Sequence, residues 1–212
     1  MISHDYKFIF VKINKTAGTS VANALKGSDP NCNEAGHSTI RELTPDQRVR
    51  DYFKFTFVRN PWDRLVSIYY YRRPWLRVPD RKDTADWRKL YFKHWVGQLC
   101  TSRLRRVGVG HNPGLIENGS PTIPPEDSKF TGQQVDWIID KDGNIDMDFI
   151  GRFENLQNDF DTICGKIGIP SETLPHLRKN EHDHYSECYD DETKRIVAKK
   201  FQKDIETFGY EF

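Results

Sequence analysis

The sequence predicts an α/β fold in which a central, mainly parallel sheet is flanked by helices. Two runs rich in aromatic and β-branched residues, 6–13 and 53–58, are each followed at once by a helix-like pattern. Strands that alternate with helices favour a parallel sheet. The chain of 212 residues has the length of one domain that can bury a core without disulfides. We therefore expect a single domain over residues 1–212, with a variable, basic insert at about residues 72–132.

The first strand and helix are predicted from the first thirty residues. The run 6–13 has the composition of a buried strand. Thr19 or Ser20 then offers a hydroxyl that can cap a helix, and the Gly-Ser-Asp-Pro stretch at 27–30 ends that helix.

The second strand, 53–58, breaks at Arg59 and Asn60 before a second helix. Pro61 suits the first helical turn, where its missing N–H is not needed. A short helix is also expected to begin at residues 45–47, ahead of this strand.

The middle of the chain is less regular. Residues 84–99 have a helical pattern, and residues 107–127, rich in Gly and Pro, indicate a loop or lid. The helical pattern places one group of side chains on a single face: Trp87, Leu90, Tyr91, His94 and Trp95. Within that group we expect His94 to be a packed core residue.

The last third predicts a hairpin and two helices. Two short apolar runs around the turn 141–144 indicate a β-hairpin. Residues 154–168 form an amphipathic helix that ends at Gly168. Residues 190–209 form another, capped by Asp190 or Asp191.

The formal net charge of +1 says little about partners, but its distribution is uneven. Residues 72–106 hold 11 Lys and Arg against 3 Asp, a net charge of +8, which leaves −7 for the rest. Such a block indicates either an anionic ligand or a solvated helical face.

The four cysteines form no CxxC pair, and neither a metal site, a membrane span nor a nucleic-acid partner is predicted. We expect a cytoplasmic protein of unknown oligomeric state, or, for a fragment of an anchored protein, the Golgi lumen.

The turn after the first strand has the chemistry of an anion cradle. Its members are Asn14, Lys15, Thr16, Ala17, Gly18, Thr19 and Ser20. Backbone N–H groups at a helix N-terminus favour phosphate or sulfate, and a lysine adds a point charge. The alternative is an ordinary strand-to-helix turn. The nucleotide-kinase pattern puts glycines before the lysine, whereas Gly18 follows Lys15.

The turn after the second strand repeats this architecture. Arg59 leaves the strand end, and Ser67 lies one to two helical turns past Pro61. A guanidinium and a hydroxyl can together hold one phosphate. Two anion sites on adjacent strands imply a ligand with two separated phosphate-like groups.

The two turns together resemble the paired nucleotide motifs of sulfotransferases that use 3′-phosphoadenylyl sulfate (PAPS), in the carbohydrate O-sulfotransferase family and its short bacterial relatives. The similarity rests on KINKTAGTS at 12–20 and FVRNPWDRLVS at 57–67, and it extends through 149–164, 174–185 and 204–212. The resemblance implies a P-loop-like fold, a PAPS co-substrate and adenosine 3′,5′-bisphosphate as product. The insert at about 72–132, which the resemblance implies to lie on the acceptor side, carries the weakest similarity.

The resemblance also implies residue roles. Lys15 would stabilise charge on the leaving phosphate, with Thr16, Ala17, Gly18, Thr19 and Ser20 around the phosphosulfate. Arg59 and Ser67 would hold the 3′-phosphate, joined by Arg178 and Asn180 from a later loop. The family often has a hydroxyl where Asn180 stands, so this sequence departs from the pattern there.

Transfer to a hydroxyl needs a base, and histidine suits that role. In related enzymes the base comes from the region between the two turns, which implies His37; an exposed loop histidine is the alternative. Lysine and backbone dipoles can neutralise the developing charge, so no metal is required. We expect a carbohydrate acceptor, possibly anionic, or a small hydroxylated molecule. A nucleotide-dependent kinase and a non-catalytic PAPS- or glycan-binding protein are the alternatives.

Overall fold

Four strands form one sheet in the computed structural model of the chain. In their order across the sheet they are β1 (Ile2–Ser3), β2 (Phe8–Val11), β3 (Phe53–Val58) and β6 (Phe149–Arg152). β1 is antiparallel to β2, whereas β2 with β3 and β3 with β6 are parallel pairs. The predicted α/β class with a mainly parallel sheet is confirmed, and β2 and β3, which precede the two predicted anion turns, lie side by side at the centre.

The structure describes residues 1–34, 36–44, 47–72, 85–100, 116–117, 120–121, 131–175 and 184–212. The chain forms two compact units: Met1–Asn60 with Gln133–Lys179, and Pro61–Gly132 with Asn180–Phe212. The sheet belongs to the first unit. The predicted lid at 107–127 lies almost wholly outside the described residues, which include only the short strands β4 (Ile116–Glu117) and β5 (Ser120–Pro121) there.

Seven α-helices are found within the described ranges. They are α1 (Gly18–Ser28), α2 (Ile40–Leu43), α3 (Pro61–Arg72), α4 (Ala85–Cys100), α5 (Leu156–Ile167), α6 (Asp191–Lys200) and α7 (Gln202–Phe208). Short 3-10 turns cover Gln47–Val49, Val135–Trp137, Phe153–Asn155 and Tyr185–Cys188. Gly168 ends α5 with a φ of 75°, as predicted. None of the helices in these ranges is both long and apolar enough to cross a bilayer.

The core of the first unit is aromatic. Phe10 of β2 stacks on Phe55 of β3 with ring centroids 5.1 Å apart, and the fully buried Phe57 packs edge-on against Phe10. Val21 of α1 and Phe160 of α5 join the same cluster. This packing fixes the strands from which both anion turns leave.

The beginning of α1 differs from the prediction. The N-cap is Ala17, in the left-handed region at φ 64° and ψ 14°, and no side chain caps the helix. Thr19 and Ser20 lie inside the first turn, and Ser20 donates its backbone N–H to the carbonyl of Ala17. The predicted hydroxyl cap is wrong, because the left-handed backbone at Ala17 directs the chain into the helix without a side-chain cap.

The predicted hairpin around residues 141–144 is also wrong in extent. It is reduced to one antiparallel bridge between Ile139 and Ile145. The Asp140 carboxylate accepts the backbone N–H of Asp142 and of Asn144 and closes the turn locally. The downstream apolar residues enter β6 instead, because the edge of β3 offers them a longer parallel ladder.

The second unit has a core of its own, built from α3, α4 and α6. On α4, Phe92, Trp95 and Val96 are buried, whereas Leu90 is 63% exposed and His94 is exposed. Trp95 was assigned to the buried face correctly, but Leu90 and His94 were not. Tyr69 of α3 packs on Phe92 and Trp95, so aromatic contacts with α3 select the stripe that α4 buries.

The helix predicted over 190–209 is two helices. Asp190 caps α6, because its carboxylate accepts the backbone N–H of Thr193, and the Thr193 hydroxyl in turn accepts the backbone N–H of Asp190. The chain then breaks at Phe201, which is buried in the core of the second unit, before α7 begins.

Candidate functional site

The loop between β2 and α1 is held in a strained conformation. Lys15 and Ala17 both have a φ of 64°, a left-handed conformation that costs a residue with a side chain about 1 kcal/mol or more. Left-handed residues interspersed with others turn successive N–H groups toward one point and form an anion nest. The sequence of this loop predicted such a cradle, and the left-handed φ values of Lys15 and Ala17 are compatible with one.

The N-terminus of α1 adds donors to the same loop. Ser20 N and Val21 N are bonded to the Ala17 carbonyl. Among the described residues, the backbone N–H groups of Gly18 and Thr19 make no hydrogen bond to the protein. The first turn holds no acidic side chain. The positive end of the helix therefore remains available to an anion.

The hydroxyls of this loop do not act alike. Thr16 is fully buried, and its hydroxyl donates to the carbonyl of Ile13 at 3.1 Å. Thr19 is half-buried and Ser20 is buried. Thr16 thus braces the loop with its side chain, which leaves only its backbone for the contact that the sequence predicts.

Gly18 is close to another part of the chain. A methyl group on Gly18 would lie 2.6 Å from Cγ of Lys12. A glycine in an anion cradle lets the backbone approach a ligand closely. The structure adds a second reason, because the stem of Lys12 occupies that space.

Arg59 joins the second turn to the first. Its guanidinium Nη1 donates to the carbonyl oxygen of Lys15 at 3.2 Å, and its Cζ lies 3.9 Å from the centre of the Phe153 ring. Arg59 is buried, with only 8% of its surface exposed. The two turns therefore meet, and they bring two cationic residues into direct contact.

Three residues that were not predicted at the second turn support it. The amide of Gln134 pairs with the backbone of Arg59, Phe153 lies under its guanidinium, and the Glu154 carboxylate accepts the backbone N–H of Asn60 at 2.7 Å. Their signal in sequence is weak, since a lone glutamine and a Phe-Glu pair occur in most chains. The topology brings them to the carboxyl end of β3.

His37 lies beside the first loop. Its Nδ1 is 2.9 Å from the carbonyl oxygen of Lys12. A carbonyl only accepts, so Nδ1 carries the proton, and in the neutral ring the lone pair is on Nε2. Trp137 meets the ring edge-on at 6.4 Å. Although the residue as a whole is exposed, partial burial of the ring lowers the pKa of His37 below its usual value, and the bond to Lys12 opposes that shift.

An ion-pair cluster holds the segment before His37. The Glu34 carboxylate accepts from Lys12 Nζ at 2.9 Å and from Lys26 Nζ. Hydrogen bonds from Lys26 and then Lys12 lower the pKa of Glu34 to about 2. Glu34 thus stays ionised and connects β2, α1 and the loop that carries His37.

Three predicted ligands belong to the second unit or to residues outside the described ranges. Ser67 is buried in the second turn of α3, which belongs to the second unit. Arg178 and Asn180 lie outside the described residues. Across the ranges that are described, no three His, Cys, Asp or Glu side chains come together as a metal site. The roles of these residues, and the absence of a metal requirement, stay predictions.

Two loops with cationic residues, adjoining at the ends of adjacent parallel strands, are the geometry that the sequence resemblance implied. The model of a family described as "Sulfotransferase family" matches residues 1–211. The chain belongs to the sulfotransferase family. The resemblance stated from residues 12–20 and 57–67 is therefore confirmed, while the role of each site residue within the sulfotransferase fold stays a prediction.

Individual sulfotransferase relatives are distant. Carbohydrate sulfotransferase 14 of Danio rerio is 24% identical over 99% of this chain and 61% of its own length. Carbohydrate sulfotransferase 10 of Xenopus laevis is 22% identical over 77% of this chain and 49% of its own length. An uncharacterized protein of Archaeoglobus fulgidus is 24% identical over 69% of this chain and 92% of its own length. The chain thus spans only part of the two carbohydrate sulfotransferases, and no solved structure matches it significantly.

Proposed function

We propose that this chain is a sulfotransferase that uses PAPS and transfers a sulfuryl group to an acceptor hydroxyl. One observation carries the proposal: in a chain of the sulfotransferase family, the Arg59 guanidinium donates to the carbonyl of Lys15. The loops that follow β2 and β3 therefore adjoin. Adjoining loops with one cationic residue each suit a nucleotide that carries phosphate-like groups at two positions.

The first loop would hold the phosphosulfate end. Its donors are the backbone N–H groups of Gly18 and Thr19 at the start of α1, with further contacts from Thr16, Ala17 and Ser20. Lys15 would place its ammonium where negative charge builds on the departing phosphate. PAPS supplies the sulfuryl group, and adenosine 3′,5′-bisphosphate is released. The left-handed backbone at Lys15 and Ala17 fits this role, because it orders the donors before any ligand arrives.

The second loop would hold the 3′-phosphate. Arg59 would be the central residue, and the sequence motifs assign Ser67, Arg178 and Asn180 to the same phosphate. A buried guanidinium stacked on Phe153 is already restricted in its rotamers, so it loses little freedom when it binds an anion.

His37 would be the base that accepts the proton of the acceptor hydroxyl. The bond from Nδ1 to Lys12 leaves Nε2 as the atom that accepts a proton. Its lowered pKa keeps the ring neutral near pH 7, which is the form that a base needs.

We propose a carbohydrate as the acceptor, with a small hydroxylated molecule as the second candidate. Support comes from the names of the relatives, carbohydrate sulfotransferases 14 and 10, which are only distantly similar. The excess of Lys and Arg over residues 72–106 suits an anionic glycan.

Transfer of labelled sulfate from PAPS to a panel of neutral glycans, anionic glycans and phenols tests the proposal. We expect transfer without added Mg²⁺, together with a higher melting temperature in adenosine 3′,5′-bisphosphate. Lys15→Ala should abolish transfer, while the matched surface variant Lys141→Ala should not. Phosphoryl transfer from ATP that depends on Mg²⁺ would instead identify a kinase. Nucleotide binding with no transfer to any acceptor would identify a binding protein.

A further inference from the structure

Gln134 is a fully buried polar side chain whose amide oxygen and amide nitrogen both bond to the backbone of Arg59. Its Oε1 accepts the backbone N–H of Arg59 at 2.9 Å, and its Nε2 donates to the carbonyl of Arg59 at 2.8 Å. A side-chain amide has the same donor and acceptor pattern as a peptide group. Gln134 therefore pairs with Arg59 as a neighbouring strand would.

This pairing begins where the sheet ends. The ladder between β3 and β6 runs as far as Val58 opposite Arg152, and Arg59 is the next residue. Backbone beyond the last ladder pair frays readily unless other groups bond to it. Gln134 extends the paired part of this strand by one residue, to the residue whose guanidinium reaches Lys15.

We propose that Gln134 is a positioning residue for Arg59 and thereby determines how strongly the chain distinguishes a nucleotide with a 3′-phosphate from one without it. The inference rests on the proposed function, in which Arg59 holds that phosphate. Gln134 fixes the backbone of Arg59, and Phe153 and the Lys15 carbonyl fix its guanidinium. With both ends fixed, the guanidinium is oriented before the nucleotide binds.

A volume-filling role and a positioning role predict different results for Gln134→Met. Methionine has a similar volume and length but neither hydrogen bond, so a residue that only fills space would tolerate it. Gln134→Asn keeps the amide and shortens the side chain by one methylene, which takes the amide out of reach. Gln202→Met is the matched control, because the Gln202 amide is exposed and bonds to Glu206 on the surface.

The test measures the dissociation constants of adenosine 3′,5′-bisphosphate and adenosine 5′-phosphate for the full chain by calorimetry. For Gln134→Met and Gln134→Asn we expect the preference for the bisphosphate to fall about tenfold, as when a hydrogen bond to a charged group is lost. The affinity for adenosine 5′-phosphate should hardly change. Gln202→Met should keep the wild-type ratio. A wild-type ratio in either folded Gln134 variant would overturn the inference.

If neither variant folds, an experiment on the wild-type chain still tests the inference. The side-chain amide protons of Gln134, followed by NMR, should shift when adenosine 3′,5′-bisphosphate binds and stay in place with adenosine 5′-phosphate. Equal shifts with both ligands would overturn the inference.

Failure of the proposed function has a different signature. In that case the wild type and Arg59→Ala would bind the two nucleotides with the same ratio. If Arg59→Ala loses the preference and Gln134→Met keeps it, only the role of Gln134 is overturned.

Discussion

The Nδ1 atom of His37 is hydrogen bonded to the carbonyl oxygen of Lys12, at 2.9 Å. Lys12 also pairs with Glu34 through its ammonium, and its stem lies against Gly18 at the start of α1. One residue thus contacts the proposed base, the ion-pair cluster and the anion loop.

Replacement of His37 by glutamine should lower kcat by about 10²- to 10⁴-fold, the usual contribution of a general base. The affinity for adenosine 3′,5′-bisphosphate should stay unchanged, because the base contacts the acceptor side. In the wild type, kcat/KM should fall only as the pH drops below 6.5. The pKa of His37 is lowered from that value, so the ring becomes protonated only at lower pH. Initial rates from pH 5 to 8 check both points.

His4→Gln is the matched control for that experiment. His4 is also an exposed histidine of the first unit, and its Nδ1 is 2.9 Å from the Tyr52 hydroxyl. Its replacement should leave the rate and the pH profile unchanged. A His37→Gln enzyme with the wild-type rate would remove the base assignment.

Lys15 combines a charge with a strained backbone, and two variants separate these properties. Lys15→Ala and Lys15→Gly should both lose sulfate transfer, because both lack the ammonium. Lys15→Gly should melt at a higher temperature than Lys15→Ala, since glycine adopts the φ of 64° without strain. Thermal melts and transfer assays on the two proteins check this. If the glycine variant were less stable than the alanine variant, the claim that the backbone of Lys15 is strained would be contradicted.

Gly18→Ala should destabilise the chain by about 1–3 kcal/mol, the cost of inserting a methyl group into occupied space. The clash is with Cγ of Lys12, 2.6 Å from the added methyl group. In a Lys12→Ala background, which removes that atom, Gly18→Ala should cost much less. Urea unfolding of the four proteins gives the coupling. Equal costs in both backgrounds would mean that another contact restricts Gly18.

Glu34→Gln should reduce stability at neutral pH and have little effect in strong acid. The folded-state pKa of Glu34 is lowered to about 2 from 4.5, so its contribution is present above pH 4.5 and is lost as the pH falls through about 2. Because the carboxylate is partly exposed, the effect should be small, about 1–3 °C in melting temperature. Melting curves from pH 7 to 2 measure this difference in melting temperature. A difference between the two proteins that grows in acid would contradict the predicted direction of the pH dependence.

The sequence was sufficient to predict the main elements near the site. The run at Phe53–Val58 is a strand with the predicted bounds, and Pro61 begins α3. The glycine at 168 ends its helix. These signals succeed because each depends on local chemistry: β-branched and aromatic composition, a missing N–H, or freedom at positive φ.

Features that depend on distant contacts were missed. Gln134 is 75 residues from Arg59 in the chain, and nothing near it in sequence reveals the pairing. The buried face of α4 was predicted incorrectly because helical spacing allows several stripes, and the contact of Phe92 and Trp95 with Tyr69 chooses among them. The prediction of a hydroxyl cap for α1 failed for a local reason. The N-cap is an alanine in the left-handed region, a strained conformation that no residue propensity favours.

The two loops leave the inner strands of the sheet, and the register that pairs Val11 with Thr56 fixes the spacing between them. Each inner strand is held by a neighbour on both sides, and the Thr56 hydroxyl adds a bond to the carbonyl of Val11. The margin at β1 is thus open to redesign by trimming that strand, whereas the connection after β6 carries Phe153 and Glu154, which hold the second loop in place.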